Sequence, residues 1–259
     1  MAAAVALHHA AAGPEDGHVV LMGGSLGTTL DVWDAQAGPL AERFRVVRYD
    51  HRGHGGSPAP PGPYSIADLG GDVLALLDTL GVERASHCGL SIGGMIGIWL
   101  AAHAPERIDR LVSICTAAHL PPPEAWAERA AQVEGAGSTE VVADSVLARW
   151  LTPEFARAHP EARESLRAML VSTSPEAYAG CCRAIERMDL RADLPRIRAP
   201  TLVVAGAQDP STPPEHGEAI AAAVPSARFE LLSPSAHLAA VERADDVTRL
   251  IREHLDPVS

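Results

Sequence analysis

The stretch Cys88-Gly89-Leu90-Ser91-Ile92-Gly93-Gly94 joins two segments of different character. Before it, Ala85 to Leu90 is apolar and β-prone; after it, Ile92 to Ala104 is apolar, Ala-rich and helical in character. The pattern predicts a strand, a tight turn and a helix. In Gly-x-Ser-x-Gly the two glycines let such a turn form without a Cβ clash, so the serine hydroxyl stands out at the carboxyl end of a strand. The helix that begins there points unpaired N–H groups and the positive end of its dipole at the same place, which favours developing negative charge. Ser91 is therefore the candidate nucleophile. The motif alone arises readily by chance in a chain with 22 glycines; its setting between strand and helix gives it weight.

On the N-terminal side, residues 18–22 (His-Val-Val-Leu-Met) read as a short buried strand that ends in Gly23-Gly24-Ser25-Leu26-Gly27. Phe44 to Asp50 reads as another strand, feeding His51-Arg-Gly-His-Gly-Gly-Ser57 and the turn-forming run Pro58 to Pro63. Ile66 to Leu80 carries apolar residues at helical spacing and stops at Gly81. On the C-terminal side, Arg107 to Cys115 is a further strand. From about Leu120 to Asp193 strand patterns give way to helical ones punctuated by proline. Strand character resumes at Pro200 to Gly206, followed by a helix (Pro214 to Val224), a strand (Arg228 to Leu232) and a closing helix (Ala244 to Leu255). Such alternation predicts an α/β chain with a mostly parallel central sheet and helices on both faces. Residues 1–119 and 193–259 would form the core, with 120–192 inserted as a helical cap.

The 259 residues suffice for one large domain with a sizeable interior. The formal charge of −12 argues against nucleic acid or an anionic membrane surface as partner, and an anionic substrate would need local arginines. Cys88, Cys115, Cys181 and Cys182 lie in apolar or helical stretches without C-x-x-C spacing, which suggests neither a disulfide framework nor zinc. His8 and His9 interrupt any leader-like apolar run, and no stretch approaches the roughly 18 apolar residues of a membrane span. A cytoplasmic protein is expected.

A serine hydroxyl needs a base within hydrogen-bond reach, oriented by a third group. Asp209 follows the strand ending at Gly206 in Gly-Ala-Gln-Asp-Pro-Ser-Thr, and His237 follows the strand ending at Leu232 in Ser-Pro-Ser-Ala-His-Leu. Both fall at the carboxyl edge where Ser91 lies, in the chain order Ser, Asp, His of the α/β-hydrolase fold. The other histidines are weaker candidates. His103, His159, His216 and His254 fall on helical faces or ends where solvated structural roles are expected, and His51 and His54 share a loop with an arginine, which suits a structural or pocket-edge role better than metal ligation. Asp144 and Asp189 read as surface or capping residues of the cap.

Gly-Leu-Ser-Ile-Gly-Gly-Met-Ile-Gly (89–97), Ser-Leu-Gly-Thr-Thr-Leu-Asp-Val-Trp (25–33), Arg-Trp-Leu-Thr-Pro (149–153), Tyr-Ala-Gly-Cys-Cys-Arg-Ala-Ile (178–185) and Ala-Gly-Ala-Gln-Asp-Pro-Ser-Thr-Pro-Pro (205–214) together resemble the 3-oxoadipate enol-lactonases of aromatic-compound catabolism. The likeness runs over nearly the whole chain. Two places depart from it: the pair Gly23-Gly24 stands where that family commonly has polar residues, and Ile98 where a glutamine is frequent. The resemblance implies opening of a small anionic lactone through an acyl-enzyme on Ser91, with His237 as base and Asp209 as its orienting partner. The backbone N–H groups of Ile92 and of the Ser25 region would meet the oxyanion. Neither metal nor organic cofactor is called for. The substrate carboxylate would find Arg129 or Arg149, each near a tryptophan, Trp126 and Trp150, that could wall the charge; solvated helix arginines beside core tryptophans are the alternative. A general carboxylesterase, a carbon–carbon bond hydrolase, a cofactor-free perhydrolase and a non-catalytic binding protein remain the competing possibilities.

Overall fold

Seven strands form one sheet in the order β1-β3-β2-β4-β5-β6-β7, and every neighbouring pair is parallel except β1 with β3. The computed structural model describes residues 3–256. The strands are β1 (His9–Ala12), β2 (Val19–Gly23), β3 (Arg45–Tyr49), β4 (Ala85–Leu90), β5 (Ile108–Ile114), β6 (Thr201–Gly206) and β7 (Ala227–Leu232). The helices interleaved with them are α1 (Asp34–Ala41), α2 (Ile66–Thr79) and α3 (Ile92–His103). Between β5 and β6 come α4 (Pro123–Ala136), α5 (Glu140–Trp150), α6 (Pro153–Ala158), α7 (Pro160–Ser172) and α8 (Pro175–Glu186). The chain closes with α9 (Pro214–Ala223), α10 (Ala239–Glu242) and α11 (Ala244–Leu255).

The central strands β2, β4 and β6 are buried along their whole length, as strands covered on both faces by helices must be. Their near-continuous apolar runs made them readable in the sequence. The edge strand β1 was not: His-Ala-Ala-Ala has neither β-branched residues nor alternation, and its strand state comes from pairing with β3, His9 opposite Tyr49. Ser65 caps α2 through a reciprocal pair with Asp68, satisfying N–H groups that the first turn leaves open. Helix α3 is buried nearly all round, Ile98 included, because it lies against β4 and β5 and beneath α2.

The inserted helices make their own packing. α4 and α8 form the most extensive helix pair of the molecule, and α5 leans on α7. Tyr178, Cys181 and Cys182 of α8 are fully buried there, and all four cysteines are free thiols held in apolar surroundings. Glu242 joins this layer to the sheet: its carboxylate accepts from Thr152 N at 2.6 Å and Thr152 Oγ1 at 2.8 Å, and also from the backbone N–H of Ala236. One expectation fails here. His254 is not a solvated helix-end residue: it is 8% exposed, with Nε2 3.1 Å from the Pro200 carbonyl, because α11 folds its last turn against the start of β6. Among the described residues, no helix is long and apolar enough to cross a membrane.

Candidate active site

The turn after β4 holds Ser91 at φ 57°, ψ −116°, a conformation that L-residues rarely adopt. Such strain persists only where the surroundings over-determine it. Here β5 and the residues just after it supply that constraint: the Ser91 N–H donates to Ile114 O at 2.9 Å, and Thr116 Oγ1 donates to the Ser91 carbonyl at 2.7 Å. The two glycines of the motif serve close approach. A Cβ on Gly89 would fall 2.2 Å from the Gly93 carbonyl, and one on Gly93 would fall 2.3 Å from the Gly23 oxygen. Any side chain at either position would push the Ser91 turn away from the sheet or from the neighbouring loop.

Asp209 lies three residues past β6, and its carboxylate is saturated with donors. Oδ1 accepts from the N–H groups of Ser211 at 2.7 Å and Thr212 at 3.0 Å; Oδ2 accepts from Thr212 Oγ1 at 2.7 Å and faces His237 Nδ1 at 2.8 Å. Burial by itself would raise the carboxyl, but the adjacent imidazole and the Thr212 donors outweigh it and hold Asp209 below the usual carboxylate range. An ionised carboxylate can only accept, so Nδ1 of His237 carries the hydrogen and Nε2 is left with its lone pair. Both side chains are almost wholly removed from solvent. The arrangement can therefore take a proton at Nε2 and stabilise the resulting cation at Nδ1.

Ser91 and His237 line a cleft of about 410 Å³, measured with the part open to solvent. Ser25 lines it too, and Ile92 is the first residue of α3, whose first-turn N–H groups have no partner within the helix. The opposite wall comes from the inserted helices: Trp126 and Arg129 of α4, Arg149 and Trp150 of α5, and Tyr178 of α8. All four of the arginines and tryptophans singled out in the sequence thus meet in one cleft. The Arg129 guanidinium lies over the Trp126 ring, 4.7 Å from its centroid. Burial first, and the Arg129 charge second, lower the Arg149 guanidinium from its ordinary value; no carboxylate compensates. Two like charges lining one cleft, with no carboxylate ion-paired to either among the described residues, form a ready anion site.

Two residues of the site escaped the sequence. Thr212 bonds to Asp209 and lies 3.3 Å from His237 Nδ1; its signal was the Asp-x-x-Thr spacing of a side-chain-closed turn. Tyr178 stands in a stretch quoted for its resemblance, but nothing in one helical sequence tells which face lines a cleft. His51 and His54 do have the structural role expected of them, and both reach the Gly23–Gly27 loop: His51 Nε2 is 2.9 Å from Gly24 O, and Gly27 N–H donates to His54 Nε2 at 2.9 Å.

The family model described as the alpha/beta hydrolase fold matches residues 17–244. "3-Oxoadipate enol-lactonase 2" of Acinetobacter baylyi is 41% identical over 239 residues, 92% of this chain and 89% of the relative. "3-Oxoadipate enol-lactonase 1" of the same organism is 34% identical over 90% of this chain and 86% of its own length. Among solved structures, the enol-lactonase from Burkholderia xenovorans LB400 superposes with a TM-score of 0.94 at 41% identity, covering 96% of each chain. Since these matches span the sheet, the Ser91 turn and the inserted helices together, the chain belongs to the α/β hydrolase fold family and, within it, to the family of the 3-oxoadipate enol-lactonases.

Proposed function

We propose that the protein hydrolyses 3-oxoadipate enol-lactone to 3-oxoadipate through an acyl-enzyme on Ser91. The observation that carries this reading is the facing of the two walls of one cleft: a serine and a buried Asp209–His237 pair on one side, and two guanidiniums without carboxylate partners on the other. The relatives named above as 3-oxoadipate enol-lactonases support the substrate.

Ser91 Oγ attacks the lactone carbonyl while His237 Nε2 takes its proton, and Asp209 holds the imidazole in the required tautomer. The tetrahedral oxyanion meets the backbone N–H groups of Ile92 and Ser25, donors that contribute roughly 3 kcal/mol each in such sites. Collapse breaks the ring C–O bond. The leaving enol oxygen takes the proton that His237 Nε2 received from Ser91, so it departs as an enol that relaxes to the ketone, acylation runs downhill and the imidazole is neutral again. His237 then deprotonates a water that attacks the acyl carbonyl, the Ser91 oxygen is expelled and recovers its proton, and the second carboxylate of the product is released. The side chains and water balance every step.

Arg129 and Arg149 hold the free carboxylate of the lactone, with Trp126 and Trp150 as apolar walls. In this reading residues 120–192 form a cap that selects the substrate, over a core of residues 1–119 and 193–259 that performs the chemistry. The test is turnover of freshly generated enol-lactone by the wild type and by Ser91→Ala. The wild type turns over, and the variant is slower by roughly 10⁴-fold or more. A wild type that cleaves p-nitrophenyl acetate but leaves the lactone untouched would reassign the protein as a different ester hydrolase. Failure of a fluorophosphonate to label Ser91 would remove the acyl-enzyme altogether.

A further inference from the structure

The Gly24–Ser25 peptide is held from its carbonyl side. In a trans peptide the carbonyl and the following N–H point in opposite directions, so whatever fixes the Gly24 oxygen also aims the Ser25 N–H. Two donors fix it: His51 Nε2 at 2.9 Å and the Gly93 N–H at 3.2 Å. Because the partner is a carbonyl, Nε2 of His51 must carry the hydrogen. Gly93 immediately follows Ile92 in the first turn of α3, so the same oxygen links the peptide of Ser25 to the turn that presents the Ile92 N–H. Ser25 itself lines the cleft with Ser91.

The imidazole that does this is immobilised. His51 is 3% exposed, and the rings of Tyr49 and His54 meet it edge-on, with centroids at 5.4 and 5.8 Å. The loop is also tied beyond Ser25. The Ser25 carbonyl accepts from Thr28 N at 3.1 Å and Thr28 Oγ1 at 2.9 Å, and Gly27 N–H donates to His54 Nε2, whose Nδ1 in turn donates to Arg52 O at 3.1 Å. The peptides on both sides of Ser25 thus have fixed orientations.

We propose that His51 is a positioning residue for catalysis: by holding the Gly24 carbonyl it aims the Ser25 N–H into the cleft and, through the shared bond with Gly93, sets its spacing from the Ile92 N–H. The proposal rests on the acyl-enzyme mechanism given above. It assigns no contact between His51 and substrate. Loss of the Nε2–H leaves the Gly24 carbonyl with one weaker donor and lets the Ser25 peptide rotate, which removes stabilisation that the transition state receives and the bound ester does not.

The experiment compares His51→Phe, which keeps a ring but no donor, with His51→Gln, whose amide nitrogen can reach the place of Nε2. Steady-state hydrolysis of p-nitrophenyl acetate is measured, with affinity for phenylboronic acid as a tetrahedral-anion mimic on Ser91 and affinity for adipate as a ground-state dianion. For His51→Phe, kcat falls roughly 10- to 100-fold and boronate affinity falls with it, while KM and adipate affinity change less than about threefold. His51→Gln recovers most of both losses. A thermal melt verifies that each variant is folded, and His51→Asn, whose amide is one methylene shorter, replaces His51→Phe if the latter does not fold. A folded His51→Phe, or the folded His51→Asn that replaces it, with wild-type kcat overturns the proposal. So does a loss carried by KM and adipate binding, or a Gln variant no better than Phe. Labelling of wild-type Ser91 by a fluorophosphonate is scored separately: its absence defeats the acyl-enzyme reading, whereas labelling without lactone turnover defeats only the choice of substrate and leaves the His51 comparison intact.

Discussion

The two walls of the cleft are built on different principles. On the sheet side, Ser91, Asp209 and His237 follow β4, β6 and β7, and backbone or buried side-chain bonds fix them: Thr116 on the Ser91 carbonyl, four donors on Asp209. On the helical side, Arg129, Arg149, Trp126 and Trp150 project from two separate helices, α4 and α5, and the guanidiniums are only partly buried. In the proposed reaction the reacting groups are those fixed at the sheet edge, where a displacement of a fraction of an ångström would cost rate. The groups proposed to hold the substrate carboxylate sit instead on helices of the inserted layer. One wall is therefore sensitive to any change, and the other to changes of charge.

Several measurements would break or sharpen this contrast. The largest effect is expected on the sheet side: Asp209→Asn keeps the shape but favours the wrong imidazole tautomer, so kcat for the lactone and for p-nitrophenyl acetate alike falls by roughly 10⁴-fold. A loss confined to one substrate would show that Asp209 serves binding. On the helical side, Arg149→Ala and Arg129→Ala each lower kcat/KM for the lactone by roughly 10- to 100-fold, the value of a charge-assisted hydrogen bond, and leave p-nitrophenyl acetate nearly unchanged. Equal losses on both substrates would mean that the arginines support the structure and recognise no carboxylate.

Acid should act on the sheet side. Burial, and then the charge of His51, push His54 down to about 4 and His87 down to about 3. A histidine with a depressed folded value binds its proton in the unfolded chain first, so stability is full above the unfolded value near 6.5 and falls as pH drops from there towards about 4, by about 1.4 kcal/mol per pH unit for each such histidine. Calorimetric melts between pH 7 and pH 4 test the sign; a flat Tm would show that these imidazoles gain protons without unfolding. The smallest effect belongs to the joint between the walls. Glu242→Gln keeps one acceptor oxygen for Thr152 but replaces the one that receives the Ala236 N–H, costing about 1–2 kcal/mol and lowering Tm by a few degrees. An unchanged Tm would mean that the two layers are held together elsewhere, as by the Leu238 N–H on Trp150 O at 2.9 Å.

How far the sequence could be read follows the same division. Strand β4 and helix α11 have the boundaries that their patterns predict, Ala85–Leu90 and Ala244–Leu255, since β4 runs straight into the Gly-x-Ser-x-Gly turn and α11 carries one apolar stripe. The inserted helices were legible as helical but not in their mutual packing, since α4 and α8 lie far apart in sequence and meet only in the fold. Strand β1 had no local signal at all. His254 was misjudged because its helix position gave no hint of the strand start that covers it.

The order Ser91, Asp209, His237 was determined by the chain alone, because strand–turn patterns put each residue at the carboxyl edge of a parallel sheet whatever the remaining structure does. Only the tertiary structure decided that Arg129 and Arg149 line the same cleft as Ser91, and that the His51 imidazole ends on the Gly24 carbonyl. The physical reason is range. Turns and strand ends follow from neighbouring residues through local sterics and hydrogen bonding, whereas the approach of two helices or the docking of a loop on a distant ring depends on how the whole apolar surface is buried.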